Sequence, residues 1–286
     1  MTWTATKRDL LLLALLALLL FAPGIASREL WNPDEPRYAE VAREMLRGGN
    51  WFVPHLNDDV YTQKPPLLFW LIAGVGALRG DVDVVAARIP SLLAAIAAVL
   101  ATYRLAADVA GRRAGWIAGL LFASCSKILW QARVGQIDML LIALVAWAFW
   151  CWTRADRGGR PGWALLGFAL AGLGTVAKGP VSLLPILLGW LVFALWERSA
   201  SGLKRLHIGF GLLIYIAVVL AWLVPAALAG GGEYIHQIAF RQTVTRYADP
   251  WHHFQPWYYY LTVLPVDFFP ASLLLPAGLR KLANSN

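Results

Sequence analysis

The sequence predicts an all-α polytopic membrane protein of about eight transmembrane helices, with amphipathic juxtamembrane helices in its first exterior loop. Three observations carry this expectation. Of 286 residues, 59% are hydrophobic and 15% charged, where a soluble domain is roughly half apolar and a quarter charged. Mean hydropathy is +0.56, and the 15 tryptophans suit membrane interfaces. Apolar runs recur along the chain, separated by polar turns, several of them basic.

The first run, Leu10 to Ile25, follows Lys7 and Arg8 as in a secretory signal. No small-residue cleavage site stands out, so it reads as an uncleaved span. The polar stretch Glu29 to Pro66 comes next. After Pro36, Tyr38, Val41, Ala42, Met45 and Leu46 recur at helical spacing, with Glu40, Arg43, Glu44 and Arg47 opposite and Gly48-Gly49 as a stop. That pattern suits a short helix lying on a membrane surface. Leu67 to Leu78 is apolar but about twelve residues long where a span needs about twenty, so it reads as interfacial or re-entrant. Further spans are expected from Pro90 to Ala107, Ala114 to Trp130, Met139 to Trp152, Trp163 to Val176, Val181 to Trp196, Ile208 to Ala229 and Trp257 to Leu275. The whole reads as one membrane domain, 1–286, with long exterior loops over 27–80 and 230–256.

Orientation follows from charge. With the N-terminus cytoplasmic and Leu67 to Leu78 not crossing, the inner loops carry Arg112-Arg113, Arg154/Arg157/Arg160, Arg198/Lys204/Arg205 and Arg280-Lys281. The net charge of +8 therefore reads as cytoplasmic loops and not as a nucleic-acid surface. Some of it is available to a phosphate group. Under this topology Asp34, Lys64, Arg133, Asp138, Lys178, His236 and Arg241 all gather at one exterior face.

Each of these residues has a plainer reading beside the functional one. Asp34, at the entrance of the amphipathic helix, is equally a helix N-cap or a carboxylate that takes a proton from an acceptor hydroxyl. Asp138 opens an apolar run, where an ionisable group needs a partner or a task; N-capping is the alternative. Lys64 before Pro65-Pro66 either snorkels to the interface or faces a lipid-borne phosphate. Arg241 offers a planar fork to phosphate or to a loop carboxylate, and a lone His236 is more often packed than metal-bound. The segment DPWHHFQPWYYY is an aromatic belt that also suits stacking on a sugar face. Gly111, Gly115 and Gly119 have helix-packing spacing. Cys125 and Cys151 lie in apolar runs without metal spacing or a disulfide framework. No P-loop, dinucleotide glycine fingerprint or HExxH occurs.

At NPDEPRYAEVAREML, YTQKPPLLFW, ARVGQID and AKGP the chain resembles the polyprenyl-phosphate-dependent membrane glycosyltransferases of the C fold class. These include the aminoarabinose transferases of lipid A modification and the protein mannosyltransferase-like family. The resemblance runs from about residue 28 to the end, and the DEPRY and KPP motifs are its most specific parts. It implies a multi-pass inner-membrane enzyme with a periplasmic site. Such an enzyme moves a sugar, with inversion, from a polyprenyl phosphate, usually undecaprenyl phosphate, to a lipid, glycan or protein acceptor. By the same resemblance Asp34 and Asp138 are the catalytic acids, Lys64 and Arg241 hold the lipid phosphate, and His236 looks like a metal-site histidine. Substrate contacts are expected from Arg37, Tyr38, Lys178 and Trp257.

Two departures stand out. The aminoarabinose transferases place a metal-binding Glu immediately before the Lys of this motif, and Gln63 stands there instead; an amide is a poorer ligand for a divalent cation. Relatives also run on past LANSN into more spans and a soluble exterior domain, so the chain reads as a fragment or a short form. The rival classes are a polyprenyl-lipid transporter or flippase and a non-catalytic lipid-binding subunit. Against transport, the acids sit beside exterior loops and not at the midplane, and no inverted repeat is evident.

Overall fold

The computed structural model describes residues 3–31, 33–158, 160–197, 206–238, 256 and 258–283. Backbone polar groups within a bilayer must be satisfied inside the segment, and the described chain answers with helices. The order is α1 (Trp3–Phe21), α2 (Asp34–Gly48), the short strands β1 (His55–Leu56) and β2 (Asp59–Val60), α3 (Leu67–Arg79) and α4 (Val84–Ala110). Then come α5 (Arg112–Ser124), α6 (Ser126–Gln131), α7 (Ile137–Asp156), α8 (Pro161–Lys178), α9 (Leu183–Glu197) and α10 (Ile208–Ile235). The described chain ends with α11 (Tyr259–Asp267) and α12 (Leu275–Ala283).

α4 is the central helix. It starts at Asp83, whose carboxylate accepts the Ala86 N–H at 2.7 Å and so caps the first turn. Its small residues Ala87, Ala94, Ala95, Ala98 and Ala101 are buried, which lets α1, α5 and α7 approach closely. Gly115 shows how close: a Cβ there would stand 2.7 Å from the Ala107 Cβ and 2.9 Å from the Tyr103 carbonyl oxygen. The expected glycine packing is therefore real at the α4–α5 contact. α8 packs between α7 and α10, with the Phe168 ring filling the space a Gly211 side chain would need.

The amphipathic helix is α2, longer at its start than the pattern indicated. It buries Tyr38, Ala39, Val41, Ala42 and Met45 and leaves Arg47 exposed. α3 has 13 residues, so at about 1.5 Å per residue it falls short of a hydrocarbon core about 30 Å thick. It lies against α2 and α4.

Several expectations need correction. The run expected to span from Ala114 to Trp130 breaks at Cys125, where the Ser126 N–H leaves helical pairing and bonds the Phe269 carbonyl at 3.0 Å. The expected last span bends by 105° between Tyr259–Asp267 and Ala271–Gly278. Pro270 lies at that bend and has no N–H to continue the helix. Among the described residues, three helices are long and apolar enough to cross a membrane: Val84–Ala110, Ile137–Asp156 and Ile208–Ile238. The bent pair adds a fourth if it counts as one span. The stretch between α2 and α3 is also not purely helical. His55 pairs with Val60 and Leu56 with Asp59 in a hairpin whose turn residues Asn57 and Asp58 have φ of 55° and 66°. Two positive φ values are what a tight hairpin turn requires, and Asn and Asp tolerate them best among non-glycine residues.

Charged contacts sort the two ends of the bundle. At one end Arg112 grips Asp9 at 2.6 Å, and Arg154 lies 3.7 Å from Asp108. At the other, Arg133 donates to the Leu20 and Phe21 carbonyls at 2.6 and 3.3 Å, closing the C-terminus of α1. Arg133 is thus a structural cap.

Candidate active site

One end of the bundle gathers four separate segments. α2 supplies Asp34, Arg37 and Tyr38 from its first turns. The loop before α7 supplies Gln136, and the first turn of α7 supplies Asp138. α8 ends on Lys178, and the 61–66 stretch carries Tyr61, Gln63 and Lys64.

Asp34 is not the N-cap. Pro33 occupies that position, and Asp34 sits in the first turn, where a carboxylate is favoured by the helix dipole. Its Oδ2 accepts from the Gln136 side-chain amide at 3.3 Å, and Arg37 lies 3.6 Å from Oδ1. Its side chain remains 38% exposed, so a substrate can reach it. Arg37 also donates to the Gln63 Oε1 at 3.4 Å, which ties α2 to the stretch that carries Lys64.

Asp138 is likewise not a cap. Gln136 holds the N-cap position of α7, and Asp138 pairs with the Lys178 ammonium. Lys178 is delivered by the turn at Gly179, whose N–H bonds the Thr175 carbonyl at 2.8 Å.

Tyr38 lies in the electrostatic field of both acids. It is buried, with its ring edge-on to Phe69 at 5.5 Å and Tyr61 on the same ring at 5.8 Å. Burial raises its pKa far above the usual phenol value, and the nearby carboxylates of Asp34 and Asp138 add to that shift, with Arg37 opposing. Its hydroxyl therefore stays protonated. A pair of carboxylates with adjacent cations and a neutral donor can deprotonate a hydroxyl and hold an anion.

The end of α10 approaches the stretch between α2 and α3. Trp222 of α10 donates to the Phe52 carbonyl at 3.1 Å, and Tyr234 and Ile238 pack with Val53 and Val176. His236 follows α10 in a π turn over 236–238. Among the described residues, no three side chains of His, Cys, Asp or Glu converge as a metal-ligand set, and the Gln63 oxygen accepts from Arg37. Arg241 and Trp257 lie outside the described residues.

Sequence reasoning missed a buried ion pair beneath this site. Glu35 and Arg88 are both fully buried, and all five guanidinium N–H groups of Arg88 are used. They reach Glu35 at 2.8 and 3.0 Å and the carbonyls of Ile25, Arg28 and Glu29 at 2.7, 3.0 and 2.9 Å. The signal available was an arginine one turn inside an apolar helix, which demands a partner.

Comparison with known proteins bears on this arrangement. The sequence profile of the dolichyl-phosphate-mannose-protein mannosyltransferase family matches residues 63–224. The undecaprenyl phosphate-alpha-4-amino-4-deoxy-L-arabinose arabinosyl transferase 1 of Pseudomonas fluorescens is 34% identical over 96% of this chain and 51% of its own length. The transferase of the same activity from Pseudomonas aeruginosa is 34% identical over 92% of this chain and 48% of its own. Among solved structures, ArnT from Cupriavidus metallidurans bound to undecaprenyl phosphate superposes with a TM-score of 0.86 at 23% identity, over 95% of this chain and 50% of that one. The archaeal oligosaccharyltransferase AglB from Archaeoglobus fulgidus follows the fold with a TM-score of 0.59 at 16% identity, over 98% of this chain and 38% of that one. The chain spans about half the length of the curated relatives it matches. With the family profile matched over more than half of its residues, the chain belongs to the dolichyl-phosphate-mannose-protein mannosyltransferase family.

Proposed function

We propose that the chain carries the donor-side catalytic centre of an inverting glycosyltransferase using a polyprenyl-phosphate sugar, with undecaprenyl phosphate as the lipid. The acceptor is a lipid, glycan or protein hydroxyl. The observation that supports this most is the pair of carboxylates, Asp34 and Asp138, joined through Gln136 at the start of α7, with Arg37 beside the first and Lys178 beside the second. The named activities of relatives at 34% identity point the same way.

The reaction is a single displacement. Asp34 takes the proton of the acceptor hydroxyl as its oxygen attacks the anomeric carbon, and the bond from that carbon to the phosphate oxygen breaks. The electron pair leaves on the polyprenyl phosphate, where Lys64 and Arg241 neutralise it; such help to a leaving charge is commonly the largest rate term. The leaving group is already a stable anion, so a general acid is less needed than in glycoside hydrolysis. Lys178 and Tyr38 donate to the sugar or its phosphate, and Asp138 holds Lys178.

Membrane placement belongs to the same proposal. About eight spans, with both termini inside, put Arg112 and Arg154 at the cytoplasmic face and the acids at the periplasmic face of an inner membrane. The Asp9–Arg112 contact supports this, because it joins the N-terminal segment to the first basic turn.

The test offers membranes containing the protein a panel of labelled undecaprenyl-phosphate sugars and follows label and anomeric configuration. Donor consumption with inverted product is expected. Lipid movement without acceptor glycosylation would overturn the reading in favour of a flippase.

A further inference from the structure

We infer that Glu35 is a positioning residue for the glycosyl-transfer site, acting with Arg88 to fix the two catalytic acids relative to each other. The inference rests on the glycosyltransferase reading above. Glu35 sits beside Asp34 in the first turn of α2. Its Oε1 accepts the Gly135 N–H at 2.8 Å and its Oε2 accepts the Trp31 N–H at 2.9 Å, while Arg88 holds both oxygens. Gly135 immediately precedes Gln136, the residue that donates to Asp34 and begins the helix of Asp138. Ser91, one turn along α4 from Arg88, exchanges hydrogen bonds with the Gln136 carbonyl and N–H at 3.0 and 3.2 Å. One carboxylate therefore pins the backbone beneath both acids, from residues 100 apart in sequence.

Stability alone does not account for this choice. Two buried charges give up much of their hydration, and a well-packed apolar pair often holds helices as firmly. What the ionic pair supplies is direction: a two-pronged fork and two aimed backbone donors fix orientation more narrowly than side-chain packing. Gly135 adds to the constraint, because a Cβ there would stand 2.8 Å from the Ala87 carbonyl oxygen of α4.

The experiment compares wild type, Glu35→Gln and Arg88→Lys in lipid nanodiscs, reading turnover per donor-binding site, donor KM, and amide hydrogen exchange from Gly135 to Asp138. The expected result is a fall in kcat of about 10–100-fold, as for a misplacement of order 1 Å, with donor KM within about twofold. Faster exchange at Gly135 and Gln136 accompanies it. A purely structural role would reduce the number of binding-competent molecules and leave turnover per site unchanged; that result overturns the inference. If wild type transfers no sugar, the glycosyltransferase reading fails and exchange alone decides. Unchanged exchange in Glu35→Gln then rejects Glu35 as the fixing group.

Discussion

Replacing Lys178 by Met removes the ammonium that Asp138 holds while keeping most of the apolar stem. The side chains of that pair are 28% and 39% exposed, so water competes for both charges. A pair in such surroundings contributes about 0–1 kcal/mol to stability. Replacing Arg88 by Met differs, because Arg88 and Glu35 have no exposed side-chain surface. It strands a buried carboxylate and deprives three carbonyls of their donor, a loss of about 3–5 kcal/mol. Thermal unfolding of both variants in nanodiscs, followed through the chain's 15 tryptophans, measures the contrast. Sugar transfer is then measured below both transitions. Lys178→Met is expected to unfold close to wild type yet lose about 100-fold in transfer, the scale of removing one donor to a developing charge. Arg88→Met is expected to unfold well below either. Equal destabilisation by the two substitutions would refute the claim that burial decides the worth of these pairs. Full transfer by a stable Lys178→Met would remove Lys178 from the reaction.

Other consequences follow from particular contacts. Gly135→Ala should destabilise by about 1–3 kcal/mol, because its Cβ would press on the backbone of α4 at 2.8 Å, read as a lowered unfolding temperature. The Arg88 fork and two backbone N–H groups outweigh burial and hold the Glu35 carboxyl below its usual pKa. Its contribution is therefore complete above the unfolded value of about 4.3 and lost as pH falls through the lower folded value. Unfolding of wild type between pH 7 and 3 should steepen below about pH 4, and Glu35→Gln should flatten that limb. Trp222→Phe keeps the ring but removes the hydrogen bond to the Phe52 carbonyl at 3.1 Å, so proteolysis between Gly230 and Pro256 should accelerate while α4–α7 stay protected.

The readable parts of the chain were those governed by local rules. The period of Tyr38, Val41, Ala42 and Met45 gave α2, and the length of Leu67 to Leu78 marked α3 as short, since both depend on neighbouring residues alone. The Cys125 break was hidden because hydropathy averages over a window, whereas the break depends on the Phe269 carbonyl far along the chain. The Glu35–Arg88 pair was hidden for a like reason: its partners are 53 residues apart, and a charge pattern carries no distance. The hairpin was within reach, because Asn57-Asp58 between His55-Leu56 and Asp59-Val60 is a turn signal. Asp34 and Asp138 were readable as acids at helix starts, and the capping alternative fell only when Pro33 and Gln136 were seen to hold the cap positions.

Single-turnover sugar transfer by Asp34→Asn beside wild type, at equal occupancy by a polyprenyl-phosphate donor, tests the central claim most directly. Asn keeps the shape and its contact with Gln136 but cannot take a proton. The account predicts that the donor binds with near wild-type affinity and that transfer is lost. Transfer by Asp34→Asn at close to the wild-type rate would contradict it.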